Sequence, residues 1–387
     1  MKCQKHLFNL DDNVHYLNCA YKAPLLKSSE TAAINALIKD RNPFKLTPDD
    51  FFNDVHNVKS LFGNLINCHK DNIALIPSSS YGFSTALNNI KAKVGGNAIT
   101  IKDEFPGSYF SLKKWCENNH NELRIISPSI NSYKLGANWN TEILKNINEN
   151  TSIVLISSIH WMNGTKFNLT EIGEKCKKYG AIFIVDGTQS VGAMKMDVKK
   201  YNIDALICAS YKWLFGPYSM GLAYFSDKFQ NGSPIEESWM NRSNAKDFSS
   251  LTNYDSNYQK KSNRYDVGEK SNFLLIPILL NGIKQVNSWT VNEIQNYCKG
   301  LAKPIIEELS KFNVKFEDEE YLSPHLFTLN LPGNIDSKSL KKELEKQNIY
   351  ISLRGDFLRL SFNVFNNEND VNKLISVIKK QLQINNN

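Results

Sequence analysis

The stretch TSIVLISSIHWMNGTKFNLTEIGEKCKKYGAIFIVDGTQSVGA (151–193) reads as strand, helix, strand. Ile153–Ser157 and Ala181–Asp186 are short apolar runs, and Leu169–Tyr179 between them carries helical periodicity. The same alternation extends outward in both directions. Ile73–Ile76, Asn97–Ile101, Leu123–Ile126, Ala205–Ala209 and Gly221–Phe225 are further apolar runs, with helix-like stretches at Phe83–Ala92 and Ser108–Asn119. Repeated βαβ units of this kind predict an α/β domain with a mostly parallel sheet. Residues 26–70 read as helix in two pieces, broken near Pro43 and Pro48. Residues 1–25 read as a loose arm, with turn residues at Asp11, Asp12 and Asn13 and a breaker at Pro24.

After residue 270 the pattern changes. Ile276–Trp289 and Val291–Leu309 read as long helices meeting at a Trp-Thr-Val turn. Strand-like runs at Val314–Phe316, His325–Leu331, Tyr350–Leu353 and Phe357–Phe362 then alternate with helices at Ser337–Gln347 and Glu368–Gln381. The expected organisation is an arm over 1–15, a large α/β domain over 16–285 and a small C-terminal α+β domain over 286–387.

Composition fits an ordinary globular chain. Of 387 residues, 41% are hydrophobic and 22% charged, with a formal net charge of +7. There is no dense Lys/Arg tract and no zinc-finger or RNP-like pattern, so nucleic acid is not an expected partner. No apolar run approaches the length of about 18 residues that a membrane span needs. Cys3, Cys19, Cys68, Cys116, Cys176, Cys208 and Cys298 form no CxxC pair, and the histidines form no HxxH or HxxxH pair. No metal site is expected, and the unpaired thiols fit a reducing, cytoplasmic setting.

The residues that carry chemistry lie at the ends of the apolar runs. Lys212, in SYKWLFGP (210–217), follows a buried-strand run directly. A desolvated amine loses its charge readily and becomes a nucleophile able to form a Schiff base. Asp186 ends AIFIVD (181–186), where a carboxylate faces the ligand crevice of an open α/β sheet. An N-cap or turn aspartate would look the same. In IPSSSYGFSTALNNI (76–90), a strand runs through a serine cluster into a helix, which offers an anion site at a helix N-terminus or simply a serine cap. An imine-forming lysine, a carboxylate for a pyridinium nitrogen and a phosphate cradle are together the needs of pyridoxal phosphate.

VDGTQSVGA (185–193) followed by SYKWLFGP (210–217) resembles the class V aminotransferase family of fold-type I pyridoxal-phosphate enzymes, relatives of cysteine desulfurase, kynureninase and isopenicillin N epimerase. The resemblance implies a seven-stranded, mostly parallel sheet and a smaller C-terminal domain. It implies that Lys212 binds the cofactor, Asp186 pairs with its ring nitrogen and Gln189 meets its phenolic oxygen. Phe105, in DEFPGSY (103–109), resembles the aromatic residue that stacks on the ring. Ser79, Ser80 and Tyr211 match phosphate-binding positions. His160 and Trp161 fall where the family lines its pocket, although many members carry Asn at the position of Trp161. Arg359, in FLRLSFNVFNNENDV (357–371), resembles the arginine that holds the substrate α-carboxylate, with Arg354 five residues earlier as a second candidate. RYDVGEKSNF (264–273) resembles a loop that crosses to a neighbouring subunit's phosphate. Glu269 stands where many members have Thr and is expected to point away, leaving Ser271 or Asn272 for that role.

The implied activity is on an amino acid, with transamination first and C–S or C–C lysis or epimerisation as alternatives, in a homodimer with an interfacial site. A desulfurase that carries sulfur on its own cysteine is not expected, because YISLRGDFLRLS (350–361) contains none. A non-catalytic binding protein on the same fold is the remaining alternative.

Overall fold

A computed structural model describes residues 1–129, 132–333 and 335–384. The chain opens with a short strand β1 (His15–Tyr16) and the helices α1 (Lys27–Asp40) and α2 (Asn53–Ile66). Then follow β2 (Ile73–Ile76), α3 (Ser79–Asn88), β3 (Asn97–Ile101), α4 (Pro106–Asn118), β4 (Glu122–Ile126), α5 (Gly136–Asn146), β5 (Thr151–Ser157), α6 (Leu169–Tyr179), β6 (Ile182–Asp186), β7 (Ala205–Ala209) and β8 (Gly221–Phe225). The last third holds α7 (Leu275–Trp289), α8 (Val291–Ser310), β9 (Leu326–Leu329), α9 (Ser337–Lys346), β10 (Ile349–Tyr350), β11 (Ser352–Arg354), β12 (Phe357–Ser361) and α10 (Glu368–Ile384).

The central sheet has seven strands in the order β2-β8-β7-β6-β5-β3-β4. Only β8 runs against the others. Side chains alternate between two cores. Val154, Ile156, Phe183, Val185, Leu206 and Cys208 meet α2, α5, α6 and α7 on one face. Ile153, Leu155, Ile184, Ala205 and Ile207 meet α3 and α4 on the other. Both faces are covered, so the strands read as unbroken apolar runs and not as alternation. Caps fix the helix ends. The Asn168 side chain accepts from Glu171 N at the start of α6, and Gly180 ends that helix in the left-handed region.

A three-stranded antiparallel sheet, β11-β12-β9, forms the C-terminal unit. Its core takes in Leu326, Leu358, Leu360 and the apolar sides of α8, α9 and α10. Ile276, Leu279 and Ile283 of α7 pack with the large sheet, whereas Val286 and Ile294 join the C-terminal core.

Several expectations differ from the structure. The arm is not loose: Phe8, Leu17, Cys19, Ala20, Ala23 and Leu26 lie in the C-terminal core. Strand β1 pairs in parallel with β10, and His15 Nδ1 lies 2.7 Å from Asp370 Oδ1 on α10. The apolar residues of the arm are spaced too irregularly to announce this, and the partner segment is more than 300 residues away. Helix α3 begins at Ser79, not Phe83, because Ser78 caps it by accepting from Tyr81 N at 3.2 Å. Val314–Phe316 forms only a single bridge, Lys315 to Asn330.

Candidate active site

The carboxyl ends of the parallel strands converge on one cavity, as an open α/β sheet requires. It is lined by Ser79, Phe105, Ser157, Trp161, Asp186, Thr188, Gln189, Ala209, Tyr211 and Lys212. Strand β2 delivers Ser79, β5 ends at Ser157, β6 at Asp186, and β7 leads into Tyr211 and Lys212.

Lys212 sits on a turn held from both sides. Ser210 N donates to Met220 O at 3.1 Å and Gly216 N to Ser210 O at 3.0 Å. Trp213, Leu214 and Phe215, directly after it, are buried in the core. The lysine itself is only 7% exposed. Burial pushes its amine down to about 8, against the opposing pull of Asp186. Among the described residues its Nζ makes no hydrogen bond or ion pair, and its neighbours are the rings of Tyr211 and Phe105, at 5.5 and 6.0 Å. Asp186 is 6% exposed and accepts from Thr188 N at 2.8 Å. Burial raises its carboxyl while the Thr188 bonds and Lys212 lower it.

Gln189 is a junction. Its Oε1 accepts from Trp213 Nε1 at 2.9 Å, its Nε2 donates to Ala20 O at 3.3 Å, and its backbone carbonyl accepts from His325 Nε2 at 2.8 Å. Phe105 opens α4 and meets Trp161 edge-on at 5.6 Å. The Trp161 indole donates to Asp103 O at 2.8 Å, and the Trp161 carbonyl accepts from Arg359 Nη1 at 2.6 Å.

Arg359 is 1% exposed; among the described residues it bonds otherwise only to Ser352 Oγ, at 3.3 Å, and its Nε has no partner. Burial and the nearby Arg354 push its guanidinium down. Arg354 does not share a strand with Arg359. Gly355 turns the chain at φ +57°, and β11 and β12 pair with Ser352 opposite Arg359 and Arg354 opposite Phe357. Five residues along one strand would put the two arginines on opposite faces; the hairpin puts them on the same face.

Other expected residues lie elsewhere. His160 turns inward, at 5.0 Å from Trp139, between Lys102 O and the Asn163 side chain, and burial lowers its ring to about 4. It does not line the cavity. Ser80 is exposed, with its hydroxyl 3.0 Å from that of Ser78. Ser271 donates inward to Phe51 O, and Asn272 caps α7 by accepting from Leu275 N at 2.8 Å, so both are engaged within the chain. Glu269 is exposed at φ +54°, and Arg264 donates to Gly232 O at 3.0 Å.

The sequence reading missed Glu104. This carboxylate is 6% exposed, accepts from Ser157 N and Phe105 N at 2.7 Å each, and takes the Ser157 hydroxyl. Burial, then Asp186, raises it to about 7.

These groups fit pyridoxal phosphate. An unpaired buried amine and a buried carboxylate free of ion pairs face one cavity, the capped start of α3 supplies phosphate donors, and a buried guanidinium nearby has an orphaned nitrogen. Among the described residues no group of His, Cys, Asp or Glu could hold a metal ion, and no helix is long and apolar enough to cross a membrane.

Comparison with known proteins gives the same direction. A family model described as aminotransferase class-V matches residues 48–374. An uncharacterized aminotransferase of Schizosaccharomyces pombe is 24% identical over 97% of this chain and 94% of its own length. The apo structure of a cysteine desulfurase from Thermococcus onnurineus NA1 superposes with a TM-score of 0.82 at 17% identity, covering 99% of both chains. The cystine C–S lyase C-DES, in complex with its product cysteine persulfide, gives a TM-score of 0.83 at 16% identity over 94% of this chain and 97% of that one. A C-DES variant with glycine covalently linked to its PLP cofactor gives 0.84 at 16% identity, over 96% and 98%.

Proposed function

The chain belongs to the aminotransferase class-V family of pyridoxal-phosphate-dependent enzymes, and from that premise we propose that it transfers the amino group of an amino acid by transamination. The observation that carries the proposal is the buried, unpaired Lys212 facing the same cavity as Asp186, with Arg359 beyond Trp161.

Bound at this site, pyridoxal phosphate supplies an electron sink for charge that develops at the substrate Cα. The chain's own groups divide the remaining work. Asp186 holds the proton on the ring nitrogen, because a buried anion favours that cation. Ser79 and the amides that open α3 hold the phosphate. Phe105 walls one side, and Glu104 fixes Phe105 and Ser157 through their backbone amides. Arg359 takes the α-carboxylate with its planar fork. Lys212, neutral above about pH 8, would take the proton from Cα and deliver it to the cofactor carbon that bears the substrate nitrogen, so that the amino group stays with the cofactor and the substrate leaves as a 2-oxo acid.

A C–S lyase is the second reading, supported by the likeness to C-DES. Sulfur carried on a cysteine of this chain is not supported. The hairpin holding Arg359 has no cysteine. At six of the seven cysteines burial opposes the thiolate needed for attack, pushing Cys116 up to about 11, Cys19 and Cys68 to about 12, and Cys176, Cys208 and Cys298 higher still.

A homodimer is the proposed assembly. Its support is the exposed apolar face of α1, with Ile34, Leu37 and Ile38 at helical spacing and Phe44 beyond. Titrating the purified holoenzyme with single amino acids separates the readings. Transamination leaves the amino group on the cofactor and releases a 2-oxo acid. A lyase releases pyruvate with sulfide, or alanine, and the cofactor spectrum recovers. No spectral response to any amino acid would overturn both.

A further inference from the structure

Two guanidinium groups lie against Trp161, which lines the cavity, and among the described residues neither has a counter-ion. Arg359 spends its two bonds on neutral oxygens, Trp161 O and Ser352 Oγ, and leaves Nε orphaned. Arg354 is half-buried on the same face of the hairpin. It donates to Leu353 O at 2.9 Å, and its guanidinium carbon lies 5.9 Å from the centroid of the Trp161 ring, which itself lines the cavity. Among the described residues neither arginine forms an ion pair. Asp356, two residues beyond Arg354, is exposed and makes none with it. The carboxylates near the cavity are already committed, Asp186 to Thr188 and Glu104 to Ser157 and Phe105.

A neutral amino acid brings one carboxylate, which answers Arg359 alone. Arg354 would stay without an anion, half-buried against an aromatic wall that leaves only part of its guanidinium to water. We propose that this site selects amino acids with an acidic side chain, the second anion being held by Arg354 over Trp161. The inference rests on the reading that Arg359 takes the α-carboxylate. It makes Arg354 a specificity-determining residue.

The test is calorimetric binding of unreactive acids to the holoenzyme: butyrate against succinate and glutarate. The expected result is that at least one dicarboxylate binds about tenfold or more tightly than butyrate, as a charge-assisted contact allows. R354Q brings dicarboxylate affinity down to the butyrate level. R354K keeps part of the preference, because the charge survives without the fork. Added salt shrinks the preference in the wild type. Dicarboxylates that bind no better than butyrate, or a preference that survives R354Q, would overturn the inference and leave the Arg359 reading standing. Butyrate affinity that R359Q does not weaken would instead overturn the Arg359 reading.

Discussion

At Lys212 the deciding quantity is the cost of keeping an ammonium out of water. Burial moves the amine down to about 8, and Asp186 opposes that movement. The rate at which apoenzyme takes up pyridoxal phosphate is therefore expected to rise with pH and to level off above a midpoint near 8. In Asp186→Asn the midpoint moves down, because the anion that favours the charged amine is gone. Stopped-flow absorbance over a pH series measures both, and a midpoint above 10 in the wild type would contradict the assignment. Glu104 makes a separate prediction. Its folded value, about 7, lies above the ordinary carboxyl value of 4.5, so the folded chain binds the proton more tightly than the unfolded one. Its stabilising contribution is complete below about pH 4.5 and is lost as pH rises through about 7, by about 3 kcal/mol in all. Urea unfolding of the apoenzyme should show that loss in the wild type and a flatter profile in Glu104→Gln. Asp186 was legible in the sequence because it ends an apolar run, and Lys212 because SYKWLFGP follows VDGTQSVGA at the spacing on which the family resemblance rests. Glu104 was not, since nothing in DEFPGSY tells a buried carboxylate from a solvated one.

Among the elements, the loop from β5 to α6 joins the two halves of the site. Gly164 adopts φ +80°, and a Cβ there would lie 2.1 Å from Leu326 O on β9. Gly164 N donates to His160 O at 2.8 Å, which holds the turn that carries Trp161. Gly164→Ala is expected to destabilise by about 1 kcal/mol or more, because both the φ angle and the close approach exclude a side chain. It should also raise KM more than it lowers kcat, by displacing the Trp161 carbonyl from Arg359. An alanine variant with wild-type thermal midpoint and KM would contradict this. The strands of the large sheet were readable because burial on both faces leaves apolar runs. The helix α5 escaped notice because its sequence is mostly polar and buries only Gly136, Trp139, Asn140 and Ile143. The hairpin register escaped as well. A spacing of five reads as opposite faces until Gly355 is known to turn the chain.

For the whole molecule, both chain ends build one core. The first 26 residues place Phe8, Leu17 and Leu26 beside helices from the last hundred, and Ala20 O is bonded by Gln189 at the site. Each such large side chain stabilises by about 1.5–3 kcal/mol. Phe8→Ala combined with Leu17→Ala is therefore expected to lower the thermal midpoint by several degrees and to weaken cofactor retention, read by calorimetry and by absorbance after dialysis. An unchanged midpoint would return the arm to the loose role its sequence suggested. The central claim is that one buried lysine makes this fold a pyridoxal-phosphate enzyme, and the most direct measurement is to locate the cofactor on the chain. Holoenzyme reduced with borohydride, digested and sequenced by mass spectrometry should carry the reduced cofactor on Lys212, and Lys212→Ala should lose both the label and the visible absorbance. A label on another lysine, or a Lys212→Ala protein with the wild-type spectrum, would contradict the account.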